Sequence, residues 1–162
     1  MSKIAFIFSG QGAQYCGMGK ELYECSDMVK NVFQIAETIR EGTSNQCFSG
    51  TKEELSQTIN TQPTLFCVGL GAAEALREAG IEPDMAAGFS LGEIPALTFG
   101  GAFGATDRQQ NIKEGFKLVC KRAEFMENCT RVSGGAMTAI LGLMSEKVEE
   151  LCASVQDTYP VN

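Results

Sequence analysis

The 162-residue sequence contains no histidine. Without an imidazole these residues cannot by themselves supply a Ser-His or Cys-His pair, a histidine general base or a histidine-ligated metal. Any such chemistry needs a group from outside them. Nor is there a basic excess: 13 Lys+Arg stand against 20 Asp+Glu, a formal charge of -7. Neutralising phosphates takes clustered Lys and Arg, so the balance argues against general nucleic-acid binding. No stretch approaches the ~20 apolar residues of a membrane span, and the run Ile4 to Phe8 is too brief for a signal-peptide core. The expectation is a soluble, cytoplasmic protein with no nucleic-acid or membrane partner. Cysteines at 16, 25, 47, 67, 120, 129 and 152 are odd in number, widely spaced and never C-x-x-C. Neither a disulfide framework nor a zinc site is suggested, and buried, reduced thiols are expected.

What is present reads as α/β. The length suits one domain, and a chain of about 150 residues can bury about 70% of its unfolded surface. Ile4 to Phe8 fits a buried strand closed by Ser9-Gly10. Val29, Val32, Phe33, Ala36 and Ile39 recur at helical spacing after Asp27, with Gly42 ending the pattern. Thr51-Lys52-Glu53-Glu54 has the form of a capping box. Thr61-Gln62-Pro63 opens the strongest helical segment, with Leu65, Val68, Ala72 and Leu76 as its apolar face and Gly80 as terminator. Met85 to Phe89 is a second short buried strand, and another helix follows Asp107 to about Asn128 before the break at Ser133-Gly134-Gly135. Met137 to Leu141 resembles a strand, Ser145 could cap a helix through about Ala153, and Tyr159 to Asn162 leads towards a further strand. The expectation is that the sequence stops in mid-element.

Two features carry chemistry. Gly88-Phe89-Ser90-Leu91-Gly92 fits the nucleophile elbow G-x-S-x-G between strand and helix. The glycines remove side chains that would collide in so tight a turn, so Ser90 projects its hydroxyl where the NH groups of the next turn, beginning with Leu91, can stabilise an oxyanion. The bland alternative is a glycine-rich turn with an incidental serine. Directly after the first strand lies Phe8-Ser9-Gly10-Gln11-Gly12-Ala13-Gln14. It lacks the third glycine of a dinucleotide loop and the Lys-Ser/Thr of a P-loop. Loops leaving the C-terminal ends of strands line the ligand crevice, so this one could face Ser90, with Gln11 an uncharged donor.

In order along the chain, Gly10-Gln11-Gly12-Ala13-Gln14 with Gly17-Met18-Gly19, Thr61-Gln62-Pro63, Gly88-x-Ser90-Leu91-Gly92-Glu93 and the Arg122 to Met126 segment resemble the malonyl-CoA:acyl carrier protein transacylases. The resemblance covers essentially the whole chain. It implies a hydrolase-like parallel-sheet core over residues 1–132 and the start of an inserted ferredoxin-like α+β subdomain over 133–162. It implies ping-pong acyl transfer on Ser90, from coenzyme A to the phosphopantetheine thiol of acyl carrier protein, with no bound cofactor and no metal. Gln11 and the Leu91 NH would form the oxyanion hole, and Arg122 would pair with the free malonyl carboxylate.

Three departures accompany the likeness. The residue before the serine, usually His in that family, is Phe89. The stretch Gly104 to Lys121 is longer than expected, with Thr106 to Asn111 the insertion. The family's catalytic His, and a Gln that helps hold it, belong to a later segment, so the expectation is an N-terminal half lacking its base. Two other readings stay open: a non-catalytic or split half-domain that binds carrier protein or a complementary subunit, and a serine esterase. Lys113, Lys117 and Lys121 share a helix face that could attract an acidic carrier protein or coenzyme A, although a solvated face beside Glu114 and Glu124 is the simpler reading.

Overall fold

The N-terminal apolar run forms strand β1 (Ala5–Phe8), which pairs in parallel with β2 (Met85–Gly88), Ala5 opposite Met85 and Phe8 opposite Gly88. A hairpin cannot close a parallel pair, so the chain must cross over between them. It does so through α1 (Lys20–Cys25), α2 (Asp27–Glu37), α3 (Thr43–Ser49), α4 (Lys52–Ser56) and the long α5 (Thr58–Glu78). A 3-10 turn (Ser90–Gly92) then leads into α6 (Glu93–Phe99), followed by α7 (Arg108–Ser133) and α8 (Ser145–Ala153). The computed structural model describes residues 3–161, and the order is α/β.

Local signals account for most of these boundaries. The capping box is present: Thr51 Oγ1 accepts from the Glu54 NH at 3.1 Å and the Glu54 carboxylate accepts from the Thr51 NH at 2.8 Å. Such a cap contributes about 1 kcal/mol. Helix α2 is capped by the Ser26 hydroxyl, which accepts from the Val29 NH at 3.3 Å, and it buries Val29, Val32, Phe33 and Ala36. Asp107 caps α7 by accepting from the Gln110 NH at 2.7 Å. The polar run Thr106 to Asn111 is therefore the cap and first turn of α7. That helix continues past Asn128 to Ser133, where Gly134 at φ 63 ends it.

Helix α5 differs from expectation in two ways. It starts at Thr58, so Pro63 lies inside it, where the missing NH deprives the Ile59 carbonyl of a donor. Its buried surface is also broader than one stripe: Thr61, Gln62, Phe66, Cys67 and Leu70 are enclosed, whereas Leu76 is 42% exposed. The cause is position. Helices α2, α6 and α7 all pack on α5, so its first half is surrounded and needs no single apolar face. At its end Gly80, φ 83, donates to the Arg77 carbonyl and Ile81 to that of Leu76, the paired bonds of a Schellman motif.

The core lies between these helices. Phe33 of α2, Phe66 and Leu70 of α5, and Ile112, Phe116 and Val119 of α7 form one cluster, with the Phe66 and Phe116 rings edge-on at 5.7 Å. Burial of each such side chain contributes about 1.5 to 3 kcal/mol. A smaller cluster joins Phe6 and Phe8 of β1 to Ala73 and Phe99.

The strands are less buried than their composition suggested. Phe6 and Phe8 point into the core, but Ile7 is 73% exposed and Met85 52%, because helices cover one face of the pair only. Residues 137–141 form no strand. Among the described residues β1 and β2 pair only with each other, and a strand without a partner has no ladder to join. Tyr159, Pro160 and Val161 are likewise in no strand, and Asn162 lies outside the described residues. Ser145 is the first residue of α8 and Met144 holds the cap position. No helix among the described residues is long and apolar enough to cross a membrane.

All seven cysteines are thiols, and Cys47, Cys67 and Cys120 sit in or against the core cluster. Burial pushes Cys47 up to about 12 and Cys120 to about 11, and raises Cys67 well above its usual value. Thiolate is the reactive form. Iodoacetamide at pH 8 should therefore modify exposed Cys16 and Cys25 in the native protein and reach Cys47 and Cys67 only in denaturant. Peptide mapping that found native labelling at Cys67 would contradict this packing.

Candidate active site

The parallel pair brings the ends of β1 and β2 to the same edge, and both chemistry-bearing loops leave from there. The Phe89 NH donates to the Phe8 carbonyl at 3.1 Å, carrying the ladder one residue beyond β2. The chain then turns sharply: Ser90 adopts φ 52, the left-handed region that L-residues other than Gly, Asn and Asp rarely enter. The Gly92 NH donates to the Phe89 carbonyl at 2.9 Å and closes the first 3-10 bond. The Ser90 and Leu91 amides precede that bond, as first-turn groups without an acceptor in the turn.

Glycine is required here by contact rather than by φ. A Cβ on Gly88 would stand 2.0 Å from the Gly92 carbonyl carbon and oxygen, and one on Gly92 would stand 2.2 Å from the Phe8 oxygen. The elbow is thus folded onto itself and pressed against the end of β1. Gly10 makes the third such approach, since its Cβ would meet the Phe89 ring at 2.6 Å. The loop after β1 and the elbow therefore touch, as the sequence suggests. Phe89 is 72% exposed, so its ring lies across Gly10 at the surface and not in the core.

Helix α7 crosses α5 and carries Arg122 to this point. The Arg122 Nη2 donates to Ser90 Oγ at 3.0 Å, and its Nη1 donates to Gln62 Oε1 at 2.8 Å. Two residues 32 apart in sequence are joined directly. Leu91 is anchored by its side chain, which is buried in the main cluster, and its backbone lies within the 3-10 turn directly after Ser90. Gln11 is in the neighbouring loop, but its amide nitrogen donates to Thr58 Oγ1 at 3.2 Å, at the start of α5. The structure thus unites Ser90 and Arg122, sets Leu91 beside them, and turns the Gln11 side chain to α5.

Sequence reasoning gave no role to Gln62, although its place in the Thr61-Gln62-Pro63 motif was the available signal. It also passed over Glu74. That carboxylate is buried on α5, accepts from Arg77 at 2.8 Å and from Arg108 Nε at 2.7 Å, and receives a second Arg108 N–H. Both guanidinium groups also lie 5.3 Å from the Phe99 ring centre. The lysine face of α7 is largely self-neutralised: Lys117 pairs with Glu114 at 3.0 Å and Lys121 with Glu124 at 2.7 Å. No group of three His, Cys, Asp or Glu able to hold a metal occurs among the described residues.

The strained strand-to-helix turn thus sets a serine hydroxyl directly against a guanidinium, a potential nucleophile beside a cation. Residues 5–160 match the family described as the acyl transferase domain. The chain belongs to that family. Within it, this acyl transferase chain is 42% identical over 158 residues to the malonyl CoA-acyl carrier protein transacylase of Bacillus subtilis strain 168, covering 97% of the chain and 48% of the relative. Among solved structures it resembles the malonyl CoA-acyl carrier protein transacylase of Coxiella burnetii, with 34% identity and a TM-score of 0.81 over 94% of this chain and 47% of that one. It also resembles a malonyl-transacylase in complex with its type II polyketide synthase acyl-carrier protein, at 28% identity and TM-score 0.78, covering 96% and 49% of the two chains. The acyl transferase chain spans about half the length of the relatives it matches.

Proposed function

We propose that this chain carries the nucleophile and the acyl-selecting arginine of a malonyl-CoA:acyl carrier protein transacylase. The contact between Arg122 and Ser90 carries the reading, because it puts a fixed cation beside the only hydroxyl on the elbow. Ser90 Oγ attacks the thioester carbon of malonyl-CoA, its proton passes to a base, and the tetrahedral intermediate expels the coenzyme A thiolate. The phosphopantetheine thiol of acyl carrier protein then attacks the ester and releases Ser90. The Leu91 NH, with Gln11 once its amide turns from Thr58, would stabilise the oxyanion. The sequence holds no histidine, so an imidazole base must come from a further segment or a complementary chain.

In this reading residues 1–132 belong to a hydrolase-like core and 133–162 begin a ferredoxin-like subdomain. Two observations support the division: Gly134 ends α7 in the left-handed region, and none of the described residues beyond it is buried.

The test is intact-mass analysis after incubation with malonyl-CoA or acetyl-CoA, with Ser90→Ala as the control for the attachment site. The chain alone should load slowly for want of a base. Arg122→Ala should cut the preference for malonyl over acetyl about tenfold to a hundredfold, the range for losing a hydrogen bond to a charged group. An unchanged preference would remove Arg122 from the role, and loading of Ser90→Ala would remove the serine.

A further inference from the structure

We propose that Gln62 is a positioning residue that sets acyl selectivity by holding Arg122 without cancelling its charge; the inference rests on the reading of Ser90 and Arg122 above. Gln62 is fully enclosed, with 0% exposure, in the middle of the most crowded part of α5. Burying a primary amide is unfavourable unless its groups are bonded, and this one has two partners. Its nitrogen donates to Met126 Sδ at 3.1 Å and its oxygen accepts from Arg122 Nη1 at 2.8 Å. A guanidinium has donors only, so the amide oxygen must be the atom that faces it. Both ends of the Gln62 amide therefore lie against α7, on residues one helical turn apart.

The chemistry of the holder matters. With Nη1 tied to Gln62, the opposite Nη2 is the group that reaches Ser90 Oγ. A free guanidinium on so long a side chain would sample many rotamers and lose entropy on gripping a ligand. A carboxylate at position 62 would fix it equally well but form an internal ion pair, leaving little attraction for an incoming anion. The neutral amide does one without the other. In malonyl the carboxylate is separated by one methylene from the carbonyl carbon that Ser90 attacks, so a cation held beside Oγ meets it at the right range. Acetyl carries no group that could use it.

Gln62→Glu and Gln62→Met separate the two halves of this argument. Glu is nearly isosteric and keeps an acceptor, whereas Met keeps the unbranched volume and removes it. Dissociation constants for malonyl-CoA and acetyl-CoA, with rates of Ser90 loading, would be measured on wild type, both variants and Arg122→Ala. Gln62→Glu should lower the malonyl-to-acetyl affinity ratio about tenfold with acetyl-CoA affinity changed less than about twofold, and Gln62→Met should lower the ratio about threefold or more. A merely structural role would weaken both thioesters alike. That outcome, or ratios within about twofold of wild type while Arg122→Ala collapses the ratio, overturns the proposal for Gln62 alone. If wild type does not distinguish the thioesters, or Arg122→Ala leaves the ratio intact, the reading of Arg122 fails and this one with it.

Discussion

A protein with Gly88→Ala is expected to lose about 4 kcal/mol of stability or more, a large share of the usual margin of about 5 to 15 kcal/mol. The new methyl would meet backbone, the Gly92 carbonyl at 2.0 Å and the Glu93 nitrogen at 2.3 Å. A flexible side chain could move aside; the backbone of an elbow cannot do so without displacing Ser90. Loss of fold and loss of acyl loading should therefore appear together. Gly100→Ala is the contrasting substitution. Its Cβ would stand 3.5 Å from the nearest atom at φ -74, so the change should be neutral or stabilise by a few tenths of a kcal/mol. Denaturant midpoints for the two variants would decide the matter, and similar midpoints would contradict the elbow geometry.

Arg108→Leu should destabilise the protein by about 3 kcal/mol, or about 6 to 12 °C in Tm. Glu74 is 1% exposed and would be left with Arg77 as its one counter-ion among the described residues. Breaking a buried pair is costlier than replacing it, because the remaining charge stays desolvated. Glu74→Leu combined with Arg108→Leu should accordingly lose less than Arg108→Leu alone. A thermal-melt double-mutant cycle reads this directly, and additive losses would show that the two side chains do not act as a pair. The consequence extends to the site, since Arg108 begins the helix that delivers Arg122.

The legible parts of the molecule were those written locally. Gly88, Ser90 and Gly92 identify a sharp turn within five residues, and Thr51 with Glu54 announces a helix start within four. Strand β1 was recognisable from its run of apolar residues, but which of them would be covered depended on helices far along the chain. Arg122 became a candidate only through the resemblance to a family, because nothing near it in sequence distinguishes it from a solvated arginine. Gln62 and Arg122 are 60 residues apart, and Glu74 and Arg108 are 34 apart. Such pairs depend on how α7 crosses α5, and the spacing within either helix carries no trace of that. Residues 137–141 show the converse failure: a strand-like composition without a neighbour to pair with.

The three glycine approaches at Gly10, Gly88 and Gly92 have a kinematic meaning. Two of them close main chain on main chain, the elbow on itself and on the last residue of β1, and the third seats the Phe89 ring on the loop. The serine is consequently referenced chiefly to peptide atoms, which are the same in every sequence, and to the core through the neighbouring Leu91 side chain. Repacking Phe33, Phe66 or Phe116 would alter how firmly the helices hold together and reach the elbow only through Leu91, while its main-chain contacts persisted. Arg122 has no such reference: its place is transmitted through the packing of α7 on α5. Drift in the hydrophobic interior should therefore alter which acyl groups are accepted before it affects whether acylation can occur.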